Sequence, residues 1–169
     1  MNINTNVPYV WHPPLLGFVK CNVDAAFFTN NNYFSAGICT RNSLGSFIVA
    51  KSTLSNDLVR PPDVETLTLF WAISWTLDFG LQNVIFETDC KYIVDHLSNP
   101  KPSSSDFNVI PNKCRTKLFF SPNSRVSFSR RQANLVNHKL VREAKSYANI
   151  QVFDHVPSCI FDLPSNEMI

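Results

Sequence analysis

The sequence has no long hydrophobic run. No segment approaches the stretch of about 18 apolar residues that a membrane-spanning helix needs. The first residues, MNINTNVPYVWHPP, also lack the positively charged start and apolar centre of an export signal. We therefore expect neither a membrane span nor export. The expected protein is soluble and intracellular, and the sequence does not distinguish the nucleus from the cytoplasm.

Closely spaced cysteines are also missing. The five cysteines, an odd number, are scattered at positions 21, 39, 90, 114 and 159. They form no C-x-x-C pair and have no histidine at zinc-finger spacing, which argues against a structural zinc site and a disulfide framework. Cys21 and Cys39 fall in apolar segments, so we expect small core residues in a reducing compartment and no disulfide-linked partner.

Acidic residues are nearly absent from one part of the chain. Residues 107–153 contain nine Lys or Arg and a single acid, Glu143, whereas residues 1–106 contain six basic and nine acidic residues. The positive charge is therefore regional. It could face a polyanion such as a nucleic acid, or it could be an ordinary solvated helix face. Charge alone favours neither interpretation.

The composition favours one folded domain. With 169 residues, of which 44% are hydrophobic, the chain can bury a single core, and no shift in composition marks a second domain. We predict a domain at residues 18–150, an N-terminal arm at 1–17 and a C-terminal tail at 151–169 without regular structure. We expect a monomer.

The first part of this domain has the pattern of three strands. In residues 18–28 apolar and polar side chains alternate, with Asp24 on the polar side, as in a half-buried strand. Turns at 30–32 and 42–45 separate this segment from two more strand patterns, YFSAGICTR and SFIVAKSTL. Together the three segments predict an antiparallel meander.

Helical and strand patterns alternate in the rest of the domain. Pro61 and Pro62 predict the start of a mostly apolar helix from Asp63 to Phe79, which ends at Gly80. The remaining predicted elements are a buried strand at 83–88, a helix from Lys91 to Leu97, a loop at 98–106, a helix from Asp106 to Phe120, a strand at 125–130 and a helix from Asn134 to Asn149. This order predicts a mixed α/β fold with at least one crossover.

Three carboxylates stand where the predicted elements would bury them. Asp24 lies on the first strand, Glu65 in the first turn of the long helix and Asp89 directly after the buried strand. A right-handed crossover makes the two strands parallel and brings these acids together. Clustered carboxylates repel one another unless they are protonated or bound to hard cations such as Mg²⁺. The arrangement therefore predicts a divalent metal site.

Each acid also has an ordinary interpretation. Asp89 can cap the following helix, Glu65 can be a favourable acid near a helix start, and Asp24 can be an exposed residue near a sheet edge. For any one acid the ordinary interpretation is favoured. The order of all three along the predicted topology favours the metal site.

Several motifs resemble, in order, those of a known family. WHPPLLGFVKCNVDAAF is similar to W-x-P-P-x-x-G-x-x-K-x-N-x-D-A-A-F, and AGICTRNSLGSFIVA, GLQNVIFETDC, SDF, FSRRQANLVNHKLVREA and PSCI continue the agreement. The chain thus resembles the ribonuclease H type 1 domain, more narrowly its plant reverse-transcriptase-like version related to non-LTR retrotransposons. The resemblance implies a three-layer α/β fold whose five-stranded mixed sheet, with three antiparallel and two parallel strands, is flanked by helices.

The same resemblance implies roles for the acids. Asp24, Glu65 and Asp89 correspond to the first three members of a metal-binding D-E-D-D set, with two Mg²⁺ ions bridged by the aspartates. The fourth acid falls on His138, a substitution that looks common in the plant subfamily. A neutral nitrogen should hold Mg²⁺ more weakly than a carboxylate and should tolerate Mn²⁺ better. Alternatively His138 carries a proton near the leaving group, or has no role.

The substrate implied by the resemblance is an RNA/DNA hybrid. The enzyme would cut the RNA strand, leave 5′-phosphate and 3′-hydroxyl ends, and contact 2′-hydroxyls and phosphates without a base code. The candidate nucleic-acid contacts are Thr88, Cys90, Lys91, Arg130, Arg131 and Asn134.

Two other functions are weighed against the enzyme. Cys90, where a serine is usual, and His138 favour a retrotransposon-derived nucleic-acid-binding module with little or no activity, whereas the intact acids favour the enzyme. A 3′ to 5′ exonuclease of the same superfold needs D-x-E on the first strand. Ala25 and Ala26 follow Asp24 here, so we set the exonuclease aside.

Overall fold

One sheet with helices on both faces makes up the described part of the chain. The computed structural model describes residues 10–29, 33–57, 59–99, 109–144 and 150–161. The strands within these ranges are β1 (Val19–Phe28), β2 (Tyr33–Arg41), β3 (Phe47–Ser55), β4 (Val84–Thr88), β5 (Arg125–Phe128) and β6 (Gln151–Phe153). The helices are α1 (Pro61–Asp78), α2 (Lys91–Ser98), α3 (Val109–Phe119) and α4 (Leu135–Glu143), with short 3-10 helices at Arg131–Ala133 and Ser158–Ile160. None of the described helices is long and apolar enough to cross a membrane.

The strand order within the sheet is β5-β4-β1-β2-β3-β6. β1, β2 and β3 form the predicted antiparallel meander, while β4 and β5 run parallel to β1. One hydrophobic core lies between the sheet and α1, α2 and α3, and a second lies on the α4 side. The predicted mixed α/β fold in three layers is confirmed.

The C-terminal part of the sheet differs from the prediction. We predicted five strands and a tail without regular structure from residue 151, but β6 pairs antiparallel with β3, with Lys51 opposite Val152. Further on, Ile160 is 2% exposed and packs in the core on the α4 side. A strand of three residues is too short for an alternating pattern to stand out, which is why the sequence did not reveal it.

The long helix α1 is delimited as its sequence indicates. It begins at Pro61, where a missing backbone N–H costs nothing, and Gly80, at a φ of 75°, follows its end. Leu69 and Ala72 are fully buried against the sheet. This packing fixes the side of the helix on which Glu65 lies.

Close contact with β2 holds α4 in place. A Cβ atom at Gly37 would lie 2.8 Å from Val141 Cγ2 and 3.2 Å from the carbonyl oxygen of Asn137, so only glycine permits this approach. The Asn137 side-chain amide donates to the Gly37 carbonyl at 3.2 Å, and the Ser35 hydroxyl donates to the Val141 carbonyl at 2.8 Å. Asn137 is therefore a packing residue of the helix.

Parts of several predictions lie outside the described residues. These are residues 1–9 of the expected N-terminal arm, the turn expected at 30–32, most of the loop expected at 98–106, the first residues of the helix expected from Asp106, the last turns of the helix expected to reach Asn149, and residues 162–169 of the expected C-terminal tail. The described part of the helix expected from Asp106 is α3.

A ring of polar contacts ties residues 11 and 12 to the sheet. The guanidinium of Arg41, which is 1% exposed, lies 3.5 Å from the ring centroid of Trp11 and donates to Asn22 Oδ1 at 2.9 Å. The Asn22 amide donates to Glu87 Oε2 at 3.0 Å. Glu87 pairs with Lys20 at 2.7 Å, and Lys20 Nζ also donates to the backbone carbonyl of the residue after Trp11, at 2.7 Å. The ring therefore begins at Trp11 and ends at the next residue in the chain.

Candidate active site

Asp24, Glu65 and Asp89 come together from three different elements. In the parallel pairing of β1 with β4, Asn22 lies opposite Glu87. Two residues further along, Asp24 on β1 and Asp89, directly after β4, therefore lie side by side. Glu65 reaches them from near the start of α1. One oxygen of each of the three carboxylates lies within 4.8 Å of the others; we call these residues the acid cluster.

Burial and mutual repulsion raise the pKa of two of these acids. Burial, and after it the charge of Asp89, raises the pKa of Asp24 to about 7. The Ala25 backbone N–H and the charge of Arg131 act in the opposite direction. Burial also raises the pKa of Glu65 to about 8, with Asp24 and Asp89 adding to the effect. At neutral pH the cluster is therefore unfavourable in its fully ionised form unless a cation binds.

The acid cluster fits a divalent metal ion. All of its donors are carboxylate oxygens, which are the ligands that Mg²⁺ prefers. Glu65 Oε2 is buried and has no hydrogen-bond partner among the described residues, a costly state that a bound cation would relieve. Asp24 Oδ1 accepts a hydrogen bond from the Ala25 backbone N–H at 2.9 Å, which fixes the orientation of this carboxylate.

His138, on α4, lies beside the acid cluster. Its Nδ1 is 3.3 Å from Asp24 Oδ2, and Nη2 of Arg131 lies 3.1 Å from each of its ring nitrogens. Burial lowers the pKa of His138, and the charges of Arg131 and Arg142 lower it further, against the influence of Asp89. The imidazole is therefore neutral at neutral pH.

Thr88 and Asn134 are buried beside the cluster. Each is 1% exposed. The Thr88 hydroxyl accepts a hydrogen bond from the Cys90 backbone N–H at 3.2 Å, across Asp89. The Asn134 amide donates to the carbonyl of Val23, the residue before Asp24, at 3.1 Å. Both side chains thus brace the backbone that carries an aspartate of the cluster.

The other predicted nucleic-acid contacts lie nearer the surface. Cys90 is half-buried and Lys91 is exposed at the start of α2, while half-buried Arg130 and exposed Arg131 precede α4. Burial raises the pKa of the Cys90 thiol, and the charges of Glu65 and Asp89 raise it further, while backbone N–H groups of α2 lower it. Cys90 is therefore a neutral thiol at neutral pH.

A sequence model of the Reverse transcriptase-like family matches residues 22–144. The chain belongs to this reverse transcriptase-like family. The matched segment contains Asp24, Glu65, Asp89 and His138. No curated protein sequence matches the chain significantly.

Solved structures place this reverse transcriptase-like domain in the ribonuclease H1 fold. Ribonuclease H1 of the halophilic archaeon Halobacterium salinarum superposes with a TM-score of 0.69 at 18% identity, over 78% of this chain and 100% of that one. LC11-RNase H1, solved in complex with an RNA/DNA hybrid, gives 0.66 at 18% identity, over 77% and 98%. The N-terminal RNase H domain of a Mycobacterium tuberculosis protein, fused to maltose binding protein, gives 0.66 at 13% identity, over 76% and 94%. The ribonuclease H-like resemblance is confirmed, while the plant and retrotransposon subfamily stays a prediction.

Two features of this reverse transcriptase-like domain were not predicted. The first is the hydrogen bond from the Ala25 backbone N–H to Asp24. The second is the contact of Arg131 with His138, since Arg131 was predicted only as a nucleic-acid contact. A spacing of seven residues places two side chains on one helix face. Arg131, however, precedes α4 in a separate 3-10 helix, so helical spacing alone could not establish the contact.

Proposed function

We propose that the protein is a divalent-metal-dependent endonuclease that hydrolyses the RNA strand of RNA/DNA hybrids. The observation that carries this proposal is the convergence of Asp24, Glu65 and Asp89 within 4.8 Å. Membership of the reverse transcriptase-like family and the ribonuclease H1 fold support it. We also propose that the protein acts as a monomer.

The proposed cofactor is Mg²⁺, with Mn²⁺ as an alternative. Asp24 and Asp89 would bind the metal from two parallel strands, and Glu65 would bind it from α1. Metal held there would activate a water and stabilise the leaving oxygen of the phosphodiester, a task that ribonuclease H type 1 domains share between two ions.

The surrounding side chains would prepare the cluster for this reaction. The Ala25 N–H orients Asp24, and His138 presents a neutral ring beside it. When Nδ1 carries the ring hydrogen and donates to Asp24, Nε2 is the acceptor that can take up a proton. Thr88 and Asn134 keep Asp89 and Asp24 in position through the backbone contacts described above.

The proposed substrate interface surrounds the cluster. Lys91 and Arg131 are exposed beside it, Cys90 and Arg130 are half-buried, and residues 107–153 supply an excess of positive charge. These groups would bind backbone phosphates, which position a nucleic acid without reading its bases. Thr88 and Asn134, which are buried, would act indirectly. A ribonuclease H1 of the same fold was solved with an RNA/DNA hybrid, which supports this choice of substrate.

The test is cleavage of an RNA/DNA hybrid labelled on the RNA strand, in Mg²⁺ and in Mn²⁺. We expect cutting that leaves 5′-phosphate and 3′-hydroxyl ends and that Asp24→Asn and Asp89→Asn each abolish. Asp95→Asn is a matched control, because Asp95 is an exposed acid on α2 outside the cluster. Equal cleavage by the wild type and Asp89→Asn would refute the proposed site.

A second candidate is a nucleic-acid-binding module without significant turnover. It is favoured by His138, which places no negative charge beside Asp24 where the ribonuclease H resemblance implies a fourth acid. Hybrid binding without cutting in either metal would establish this alternative. Cutting with a strong preference for Mn²⁺ would instead support the enzyme with His138 near the metal.

A further inference from the structure

The α4 side of Asp24 already holds a positively charged group. His138 Nδ1 approaches Asp24 Oδ2 to 3.3 Å, and Arg131 Nη2 lies 3.1 Å from both ring nitrogens. An ion held between Asp24 and His138 would have to bind a ring nitrogen that is in contact with this guanidinium. A guanidinium stays protonated in proteins, so the two cations would repel each other.

His138 lies beside the acid cluster but is not one of the residues whose donor atoms converge on a single point. Among the residues that the structure describes, the one group of possible metal ligands is the acid cluster, whose donor atoms lie within 4.8 Å of one another, and His138 is not a member of it. The geometry thus provides one focus for an ion, between Asp24, Glu65 and Asp89.

We propose that Arg131, in contact with His138, takes the place of a second metal ion, so that the site works with a single divalent ion. Arg131 would then supply positive charge to the substrate phosphate as a preorganised planar donor. This inference rests on the proposed function for its substrate, but the number of ions can be measured without any cleavage.

The experiment counts Mn²⁺ bound to the full chain by electron paramagnetic resonance of the free ion. It is done on the protein alone and on the protein saturated with a DNA strand paired to 2′-O-methylated RNA, which blocks cleavage. We expect one ion per wild-type chain in both states and no spectrum of a coupled Mn²⁺ pair. Where the enzyme cuts, we expect the rate to depend on metal concentration with a Hill slope near one.

Two variants and a control distinguish the effect of the contact between Arg131 and His138 from the effect of positive charge in general. Arg131→Ala should strengthen binding of an additional Mn²⁺ by about tenfold, because it removes a like charge at contact distance. His138→Asp combined with Arg131→Ala should bind two ions in the hybrid complex. Arg142→Ala removes an exposed arginine of α4 whose charge also acts on His138, and it should leave the count at one.

Two ions on the wild-type hybrid complex would overturn the inference, as would an Arg131→Ala variant with unchanged number and affinity of ions. Failure to bind the hybrid would refute the proposed function instead. The inference would then be decided on the free protein, where Arg131→Ala must still bind additional Mn²⁺ more tightly than the wild type.

Discussion

Individual side chains in the acid cluster show how strongly burial acts on charge. Asp24 is 6% exposed and Glu65 has a buried oxygen without a partner among the described residues. Both have raised pKa values, to about 7 and about 8. In the absence of metal, the folded protein therefore favours protonation of these two groups.

The stability of the metal-free protein should fall as the pH rises. The folded-state pKa values lie above the ordinary values of 3.8 and 4.5, so the stability gained from these protons is complete below about pH 4 and is lost as the pH rises through 7 and 8. We expect a loss of several kcal/mol, because each pKa lies about 3 above its ordinary value and one pKa unit corresponds to about 1.4 kcal/mol. Thermal unfolding in EDTA between pH 5 and 9 would measure it, and a flat profile would contradict it. Saturating Mn²⁺ should remove most of the slope.

Asp24→Asn should stabilise the metal-free protein at pH 8 while abolishing its response to metal. The amide keeps an oxygen that can accept the Ala25 N–H but removes a buried charge next to Asp89, worth about 1 to 3 kcal/mol. Urea unfolding with EDTA and with Mn²⁺ tests both parts. Asp95→Asn, at an exposed site, should change neither, and a destabilised Asp24→Asn protein in EDTA would show that repulsion is not the dominant effect.

At the residue scale, sequence reasoning brought together Asp24, Glu65 and Asp89 but missed the contacts around them. Acids on predicted elements can be placed by topology. The contact of Arg131 with His138 depends on the turn of backbone between them, which has no periodic signal. The bracing roles of Thr88 and Asn134 likewise depend on burial that their polar side chains do not predict.

At the scale of elements, the position of α4 depends on the missing side chain at Gly37. Its approach to β2 brings Val141 Cγ2 within 2.8 Å of where a Cβ atom would be. Because His138 belongs to the same helix, this contact helps to set the distance between its ring and Asp24.

Gly37→Ala should destabilise the protein by about 1 to 3 kcal/mol through overpacking. The shift of α4 should also weaken the contact of His138 with Asp24, visible as a change in the imidazole signals in NMR spectra. Val141→Ala removes the clashing methyl group, so the double variant should lose less stability than the sum of the two single changes. Additive losses would mean that the two side chains do not meet.

The elements themselves were predictable to different degrees. α1 was found to within two residues at its start and one at its end, because prolines and a glycine delimit it. The meander was found because β1 alternates in sequence and turn residues separate its three segments. β6 was missed, since three residues carry no pattern and its partner, β3, is determined only by tertiary packing.

At the scale of the whole molecule, the position of a basic residue beside the acid cluster adds to what the uneven charge of the sequence indicates. The basic residues of 107–153 include Arg130 and Arg131, which precede α4, and Arg131 contacts His138 beside the acid cluster. Such a surface should bind a nucleic acid in a way that depends strongly on salt.

Arg130→Ala should weaken hybrid binding and make it less sensitive to salt. Losing one phosphate contact should reduce the slope of log K against log salt concentration by about 0.9. Fluorescence anisotropy with a labelled hybrid at several salt concentrations measures this slope. Lys51→Ala is the control, because Lys51 lies on β3 against Trp75. Equal effects of the two changes would contradict a localised interface.

The ring of contacts around Arg41 shows where the folded domain starts. It runs through Trp11, Arg41, Asn22, Glu87 and Lys20. Family similarity begins only at residue 22, yet Trp11 is 3% exposed and covers a guanidinium that is almost entirely buried. A shortened chain starting at residue 18 would expose that charge and break the ring two residues from Asp24. Residues 10–18 thus pack as part of the folded domain, and removing them should reduce both its stability and its metal binding.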